Sequence, residues 1–341
     1  MRGPLLVYGA YGYTGGLIAR RAVERGLSPV LAGRDSERLA ALGRALGCAW
    51  RAFPLSDPEA LRRGIEDAGA VLHCAGPFVR TFRPMAEACL ETRVHYLDLT
   101  GEPTVLHGLA EMGLHAERAG VMLLPAAGFD VVPTDCLAVH LAGRLPGARR
   151  LVLAVQGLDR ISRGTARTLL LHPEPATAGS GPRTRVFDLG SGPLAGVSVP
   201  WGDTFTAPRS TSIHDVTVYL VGPRASRAFF RTVPYLAPLL RMEAVRDGLA
   251  RLLAGAEGGP DEAARARGAT VVYGEAIDGD GRRVTARQRG PEAYAFTAVA
   301  AIEIAERVLR GEVRPGWQTP ATAFGPDLVL SLPGVVREDL E

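Results

Sequence analysis

The chain contains no lysine and no asparagine; all 39 of its basic residues are arginine. A lysine Schiff base, a lysine general base and the lysine of a Walker-type phosphate loop are therefore excluded, and so is N-glycosylation. Cysteine is scarce: Cys48, Cys74, Cys89 and Cys136 form no C-x-x-C spacing. That pattern suits a reduced, intracellular protein and supplies no zinc set, so no metal site is expected. No run of about 18 apolar residues occurs, which excludes a transmembrane helix. The first strand opens within four residues of Met1, which leaves no room for a signal peptide, so the expected location is cytoplasmic. Net charge is only +3, with the arginines scattered along the chain. Nucleic acid is not an expected partner on that balance.

What is present is ordinary globular material, 47% hydrophobic and 22% charged over 341 residues, long enough for two domains. Up to about residue 125, short apolar runs (LLVYGA, SPVLAG, AVLHCAG, VHYLDL, GVMLLPA) alternate with stretches of helical period such as LIARRAVERG and SERLAALGRALG. Alternation of this kind builds βαβ units and a parallel sheet. Asp35 or Ser36 reads as one helix start, and Asp57-Pro58-Glu59 as another. After Pro133 the rhythm changes. RLVLAVQGL, RTRVFDLG, AGVSVP, IHDVTVYLVG, ATVVYGEAID and RRVTARQRG read as strands with few helices between them, the last two joined by the hairpin Asp278-Gly279-Asp280-Gly281. YAFTAVAAIEIAERVLRG reads as a long helix. The expected fold class is α/β: an N-terminal Rossmann doubly wound parallel sheet, plus an α+β second domain with a mostly antiparallel sheet.

Gly9, Gly12 and Gly15 follow the first strand and open the first helix. Glycines there can serve a tight turn alone. Ahead of an amphipathic helix and a second strand, they also let backbone approach a pyrophosphate held by free N–H groups and the helix dipole. Tyr11, Tyr13 and Thr14 stand between them; the tyrosines either pack on the sheet or edge a nicotinamide pocket. The second strand ends Gly33-Arg34-Asp35-Ser36, where an NAD site usually carries an acid for the ribose hydroxyls. Gly33 leaves room for a 2′-phosphate and Arg34 can bind it or stack on adenine, so NADP(H) is the expected cofactor. In the other register, Asp35 faces the ribose and Arg34 is a solvated helix-start residue.

Three further strand ends should border the crevice. One carries His73-Cys74-Ala75-Gly76-Pro77-Phe78, whose Ala75, Gly76 and Pro77 would let the cofactor ribose pass. The others end in His95-Tyr96-Leu97-Asp98-Leu99-Thr100-Gly101-Glu102 and in Pro125-Ala126-Ala127-Gly128-Phe129-Asp130. Asp98, Glu102 and Asp130 are the candidate proton donors for hydride chemistry, the last two preferred because each follows a glycine turn. Their alternative role is capping, Glu102 for the helix after it and Asp130 for the helix after Pro133. His73 and His95 suit the core, and Cys74 a small buried position.

These stretches in this order, VYGAYGYTGG, LAGRDSERLA, LHCAGPF, ACLETRVHYLDLTGE and AAGFDVVPTDCLA, resemble the saccharopine dehydrogenase-like family. The similarity is greatest to its branch of uncharacterised oxidoreductases and trans-acting enoyl reductases, and continues through SRGTARTL, WGDTFTAPRSTSIHDVTVY, YAFTAVAAIEIAERVLRG and TPATAFG. The resemblance implies an NADP-binding Rossmann domain over 1–130, an α+β substrate and dimerisation domain over 131–290, and a C-terminal helix and tail over 291–341 returning to the first. It implies an NADP(H)-dependent oxidoreductase, a homodimer, transferring hydride to an imine, enoyl or carbonyl group of a small molecule. Ser162-Arg163-Gly164-Thr165 and Tyr273 would line the substrate face. Some saccharopine dehydrogenases use a lysine in acid/base chemistry, so the absence of lysine argues against that reaction itself. Two other roles stay open: a non-catalytic NADP(H) sensor, and a lipid- or membrane-associated partner acting through residues 224–256. That segment carries Phe229, Phe230, Tyr235 and Leu236 among arginines, but Glu243, Asp247 and Glu257 dilute its membrane character.

Overall fold

A computed structural model of the chain describes residues 3–157, 182–190, 192–222 and 258–340, with 228, 232, 242, 245 and 248 as isolated positions. Ser162-Arg163-Gly164-Thr165, Phe229, Phe230, Tyr235 and Leu236 lie outside the described residues. The chain runs β1 (Leu5–Tyr8), α1 (Tyr13–Glu24), β2 (Val30–Gly33), α2 (Ser36–Leu46), β3 (Trp50–Ala52), α3 (Pro58–Ile65) and β4 (Ala70–His73). It continues α4 (Phe78–Thr92), β5 (His95–Asp98), α5 (Pro103–Glu111), α6 (Gly113–Ala119), β6 (Met122–Leu124), α7 (Val132–Arg144) and β7 (Ala148–Gln156). Then come β8 (Thr184–Asp188), β9 (Pro193–Val199), α8 (Asp203–Thr211), β10 (Asp215–Val221), α9 (Glu262–Arg267), β11 (Ala269–Asp278) and β12 (Arg283–Pro291). The last elements are α10 (Ala293–Leu309), β13 (Gly316–Trp317), α11 (Pro320–Phe324), a 3₁₀ turn at Leu328–Ser331 and β14 (Val336–Leu340).

Two compact units result, Met1–Val132 with Tyr294–Phe324, and Pro133–Ala293 with Gly325–Glu341. In the first, seven strands lie in the order β13-β6-β5-β4-β1-β2-β3, all parallel. The strands LLVY, VLAG, AVLH, HYLD and MLL are buried along their whole length, as a sheet covered on both faces requires. Strand order runs outward from β1 to β3 and then restarts at β4, so the switch point lies between β1 and β4. Register sets Tyr8 beside Ala32 and His73, and His73 beside Asp98, which brings the carboxyl ends of four strands level. Asp35 caps α2 by accepting from Arg38 N (3.0 Å), and Asp57 caps α3 through Glu59 N and Ala60 N. Within the same unit, Arg25 bonds Glu306 of α10 through Nε (3.0 Å) and Nη2 (2.5 Å).

The second unit holds a sheet ordered β14-β12-β11-β7-β10-β9-β8, antiparallel at every neighbour except β7 with β10. The six strands expected after Pro133 are all there. The seventh, β14, has the sequence VREDL and is largely exposed, so it lacks an apolar pattern to read. It pairs with the open edge of β12, with Arg287 and Glu338 bridged at 2.6 Å. The expected C-terminal segment 291–341 therefore divides: α10 through α11 join the first unit, and the tail from Gly325 joins the second. The hairpin at 278–281 is closed by the Asp278 carboxylate, which accepts from Asp280 N and Arg282 N. No helix among the described residues is long and apolar enough to cross a membrane.

α7 packs on β11 at Gly274, where an added Cβ would come 2.5 Å from Leu141 Cδ1 and 3.1 Å from Leu137 Cδ2. Gly274→Val is expected to destabilise the protein by about 1–3 kcal/mol through overpacking, read as a lower urea midpoint. An unchanged midpoint would show that the helix does not bear on this strand.

Candidate functional site

β1 leads the chain to the edge of the first sheet, and Gly9 turns it with φ +86°, donating its N–H to Ala32 O at 2.7 Å. A Cβ on Gly9 would lie 2.9 Å from Ala75 N, so the exits of β1 and β4 meet here with only backbone between them. Gly15 packs directly on Gly9 O, leaving no volume for a side chain, and Gly12 N donates back to Gly9 O at 2.9 Å. Gly12 is the N-cap of α1; no side chain closes this helix end and no acid stands in its first turn. The result is a bare, positive helix terminus at the switch point, shaped for an anion such as a pyrophosphate.

The end of β2 supplies charge beside that terminus. Asp35 is committed to capping α2, while Arg34 is exposed and forms no ion pair among the described residues. Arg38, in the first turn of α2, donates Nη2–H to Tyr11 O at 2.9 Å and holds its guanidinium 4.6 Å from the Tyr11 ring centre. Sequence reading missed Arg38. The available signal was a cation in a helix's first turn, where the dipole disfavours it unless an anion is near. Gly33 also acquires a different reason: a Cβ there would lie 2.6 Å from Tyr11 Cε1, so the space beside it holds the ring of Tyr11 and is not left vacant for phosphate. Nearby, the Tyr8 hydroxyl donates to Phe53 O at 3.0 Å; burial pushes it up to about 12, the Tyr11 phenol adding and the Arg34 charge opposing. Tyr13 meets Tyr294 edge-on at 5.1 Å, and Thr14 is half-buried at the start of α1.

Beyond β4, Ala75 and Pro77 are half-buried and Gly76 is exposed. Thr81 donates to Ala75 O at 2.7 Å, so its 3.0 Å contact with His73 Nε2 is a donation from the ring. His73 therefore carries its proton on Nε2, and burial takes its pKa down to about 3, leaving a neutral histidine. Burial likewise raises the Cys74 thiol well above its ordinary range. Glu102 does not cap the helix that follows it. Its Oε2 accepts from Val79 N at 3.1 Å, so it caps α4, 23 residues earlier, because the exits of β4 and β5 are neighbours.

Asp98 is fully buried and accepts from Tyr96 Oη (2.7 Å), Thr100 N (2.9 Å) and Ala126 N (2.9 Å). Burial pushes its carboxyl up to about 6 despite those bonds. Ala126 is left-handed at φ +59°, an uncommon state for alanine, and is held there by Asp98 on its own N–H and on that of Ala127 (2.7 Å to Asp98 O). From this turn the chain passes Gly128, against Thr297, and Phe129, whose N–H donates to Thr297 Oγ1 at 3.1 Å. Asp130 follows, half-buried, its carboxylate seated over Gly101, where an added Cβ would meet Oδ2 at 3.0 Å. Burial pushes this carboxyl up to about 6. Of the three acids, Asp98 and Glu102 are engaged in holding backbone, and Asp130 stands at the strand edge with a pKa near the operating range of a general acid. Tyr273, in the second unit, donates to Glu275 Oε2 at 3.2 Å and is pushed up to about 12 by burial. No group of side chains among the described residues is placed to hold a metal ion.

Residues 5–124 match the saccharopine dehydrogenase NADP binding domain. A trans-acting enoyl reductase of Mycobacterium leprae is 34% identical over 151 residues, 41% of this chain and 36% of that protein. A saccharopine dehydrogenase-like oxidoreductase of Bos taurus is 28% identical over 181 residues, 47% of this chain and 41% of that protein. The matches thus span about two fifths of these relatives' length. In fold, the chain is similar to apo saccharopine dehydrogenase (L-Glu forming) of Saccharomyces cerevisiae, with a TM-score of 0.67 at 14% identity, covering 99% of this chain and 100% of that one. Residues 5–124 match the saccharopine dehydrogenase NADP-binding domain, and the chain as a whole is similar in fold to saccharopine dehydrogenase.

Proposed function

We propose that the chain is an NADP(H)-dependent reductase or dehydrogenase acting on an imine, enoyl or carbonyl group of a small molecule. The observation that carries this reading is the bare N-terminus of α1, built from Gly9, Gly12 and Gly15, with Arg34 and Arg38, which form no ion pair among the described residues, after β2 beside it. The turn fits a pyrophosphate because Gly9 and Gly15 pack backbone on backbone with no side chain between, and Gly12, exposed at the helix start, leaves the first N–H groups of α1 uncovered. The cofactor supplies a hydride when bound. The chain's own residues do the rest. Backbone N–H groups of Tyr13, Thr14 and Gly15 hold the pyrophosphate, and Arg34 with Arg38 neutralises the 2′-phosphate. Ala75, Gly76 and Pro77 give backbone close access beside the turn, with Thr81 and Glu102 fixing the exit of β4. Asp130 supplies the proton that the reduced product requires, and burial raises its pKa to about 6, within reach of proton exchange near neutral pH. The relatives named for enoyl reduction and saccharopine-like oxidoreduction support hydride chemistry of this kind.

NADPH is expected to raise the melting temperature at concentrations where NADH does not. Equal stabilisation by both nucleotides, or by neither, refutes the cofactor assignment. Arg34→Ala should weaken NADPH about tenfold and NADH little, as loss of one charge-assisted hydrogen bond would.

Asp130 gives a separate test. Its folded pKa of about 6 exceeds the ordinary 3.8, so the folded state retains a proton that the unfolded chain releases. Stability from this group is greatest in acid and falls as pH rises from about 4 to 6. Asp130→Asn should therefore stabilise the protein at pH 7.5, by up to about 3 kcal/mol, with little gain near pH 4. It should also abolish any NADPH oxidation that enoyl thioesters, imines or ketones support in the parent protein. A gain independent of pH would show that the carboxyl titrates normally and is no proton donor.

A further inference from the structure

We infer that Tyr11, seated on Gly33 and pinned by Arg38, is the residue that sets 2′-phosphate specificity at the adenosine end of the cofactor. This rests on the NADP(H) reading above and goes beyond it in naming the discriminating side chain. In an NAD site, the residue at the end of the second strand presents a carboxylate to the ribose hydroxyls. Here no carboxylate has access to that place. Position 33 can bear one only if the Tyr11 ring swings away, because a Cβ there would lie 2.6 Å from Tyr11 Cε1. Position 34 is arginine, and the Asp35 carboxylate is spent on Arg38 N at the start of α2.

The Tyr11 ring does not stand there loosely. Arg38 lies over it at 4.6 Å and also donates to the Tyr11 carbonyl at 2.9 Å, so one guanidinium fixes both ends of the residue. Neither contact satisfies the guanidinium's charge. Arg38 is exposed, has no carboxylate ion pair among the described residues, and sits at the positive end of a helix. A cation held in that position by a ring and a carbonyl is stable when an anion completes its surroundings. The ring thus takes the volume an NAD-type acid would need, and the arginine braced against it offers the charge a 2′-phosphate needs. Steric exclusion of the acid and attraction of the phosphate come from one stacked pair.

A strong consequence follows for cofactor switching. Gly33→Asp, the change that would install an NAD-type acid, should not convert the protein to NADH. The ring cannot move aside without giving up Arg38, so the variant should lose NADPH affinity and gain none for NADH. Titrations of the full chain with NADPH, NADH, 2′,5′-ADP and 5′-AMP test this. Tyr11→Phe keeps the stack and should leave the NADPH-to-NADH preference within about twofold of the parent. Tyr11→Ala and Arg38→Ala should each lower NADPH and 2′,5′-ADP affinity about tenfold, with NADH and 5′-AMP little changed. Both lie at partly or fully exposed positions, so circular dichroism should show an unaltered fold. A Gly33→Asp variant that prefers NADH, or a Tyr11→Ala variant with unchanged preference, overturns the inference. A parent protein that binds neither dinucleotide overturns the NADP(H) reading itself, and the inference with it.

Discussion

The upper edge of the first sheet depends on one constraint: the chain must pass from β1 into α1 with no side chain in the way. Gly9 turns against Ala75 N, Gly15 rests on Gly9 O, and Gly12 closes the turn through its own N–H. Any Cβ at the first or third position would push β1 away from β4 or α1 away from β1. The same absence of side chains leaves the first N–H groups of α1 exposed and positively polarised. Tight packing and anion affinity are therefore consequences of the same three residues.

Around that turn, acidic groups are kept occupied and basic groups are left available. Asp35 caps α2, Glu102 caps α4, and Asp98 binds three donors including the strained Ala126. These three carboxylates are engaged by backbone or by the Tyr96 hydroxyl. Arg38 donates to the Tyr11 carbonyl, neither it nor Arg34 pairs with a carboxylate among the described residues, and burial raises the Asp130 carboxyl to about 6. A chain with an unremarkable net charge thereby acquires an edge with two exposed arginines, and two carboxyl groups whose pKa values burial raises to about 6.

Asp98 shows how a buried acid can serve geometry. Its cost of burial, visible in a pKa pushed up to about 6, is offset by hydrogen bonds that fix the exits of β5 and β6 together. Those bonds hold Ala126 left-handed, and the displaced chain then places Gly128 and Phe129 against Thr297 and Asp130 over Gly101. The position of the Asp130 carboxyl is in this sense set by Asp98, on another strand.

Sequence by itself determined the βαβ rhythm, the glycine turn at 9–15, six strands of the second sheet, and the exclusion of lysine chemistry. All of these are local: they depend on period, on residues adjacent in the chain, or on a residue type being absent. Tertiary structure alone decided the roles of the carboxylates, because Glu102 reaches Val79, Asp98 reaches Ala126 and Asp130 rests on Gly101 only once parallel strands align their ends. The same holds for Tyr11, whose ring and carbonyl meet Gly33 and Arg38 across the β1–β2 boundary. It holds for β14 too, a charged strand that no apolar pattern marks and that forms because β12 offers it an open edge. Periodicity reports which face of an element is buried; which distant group it meets there is fixed by strand order and register.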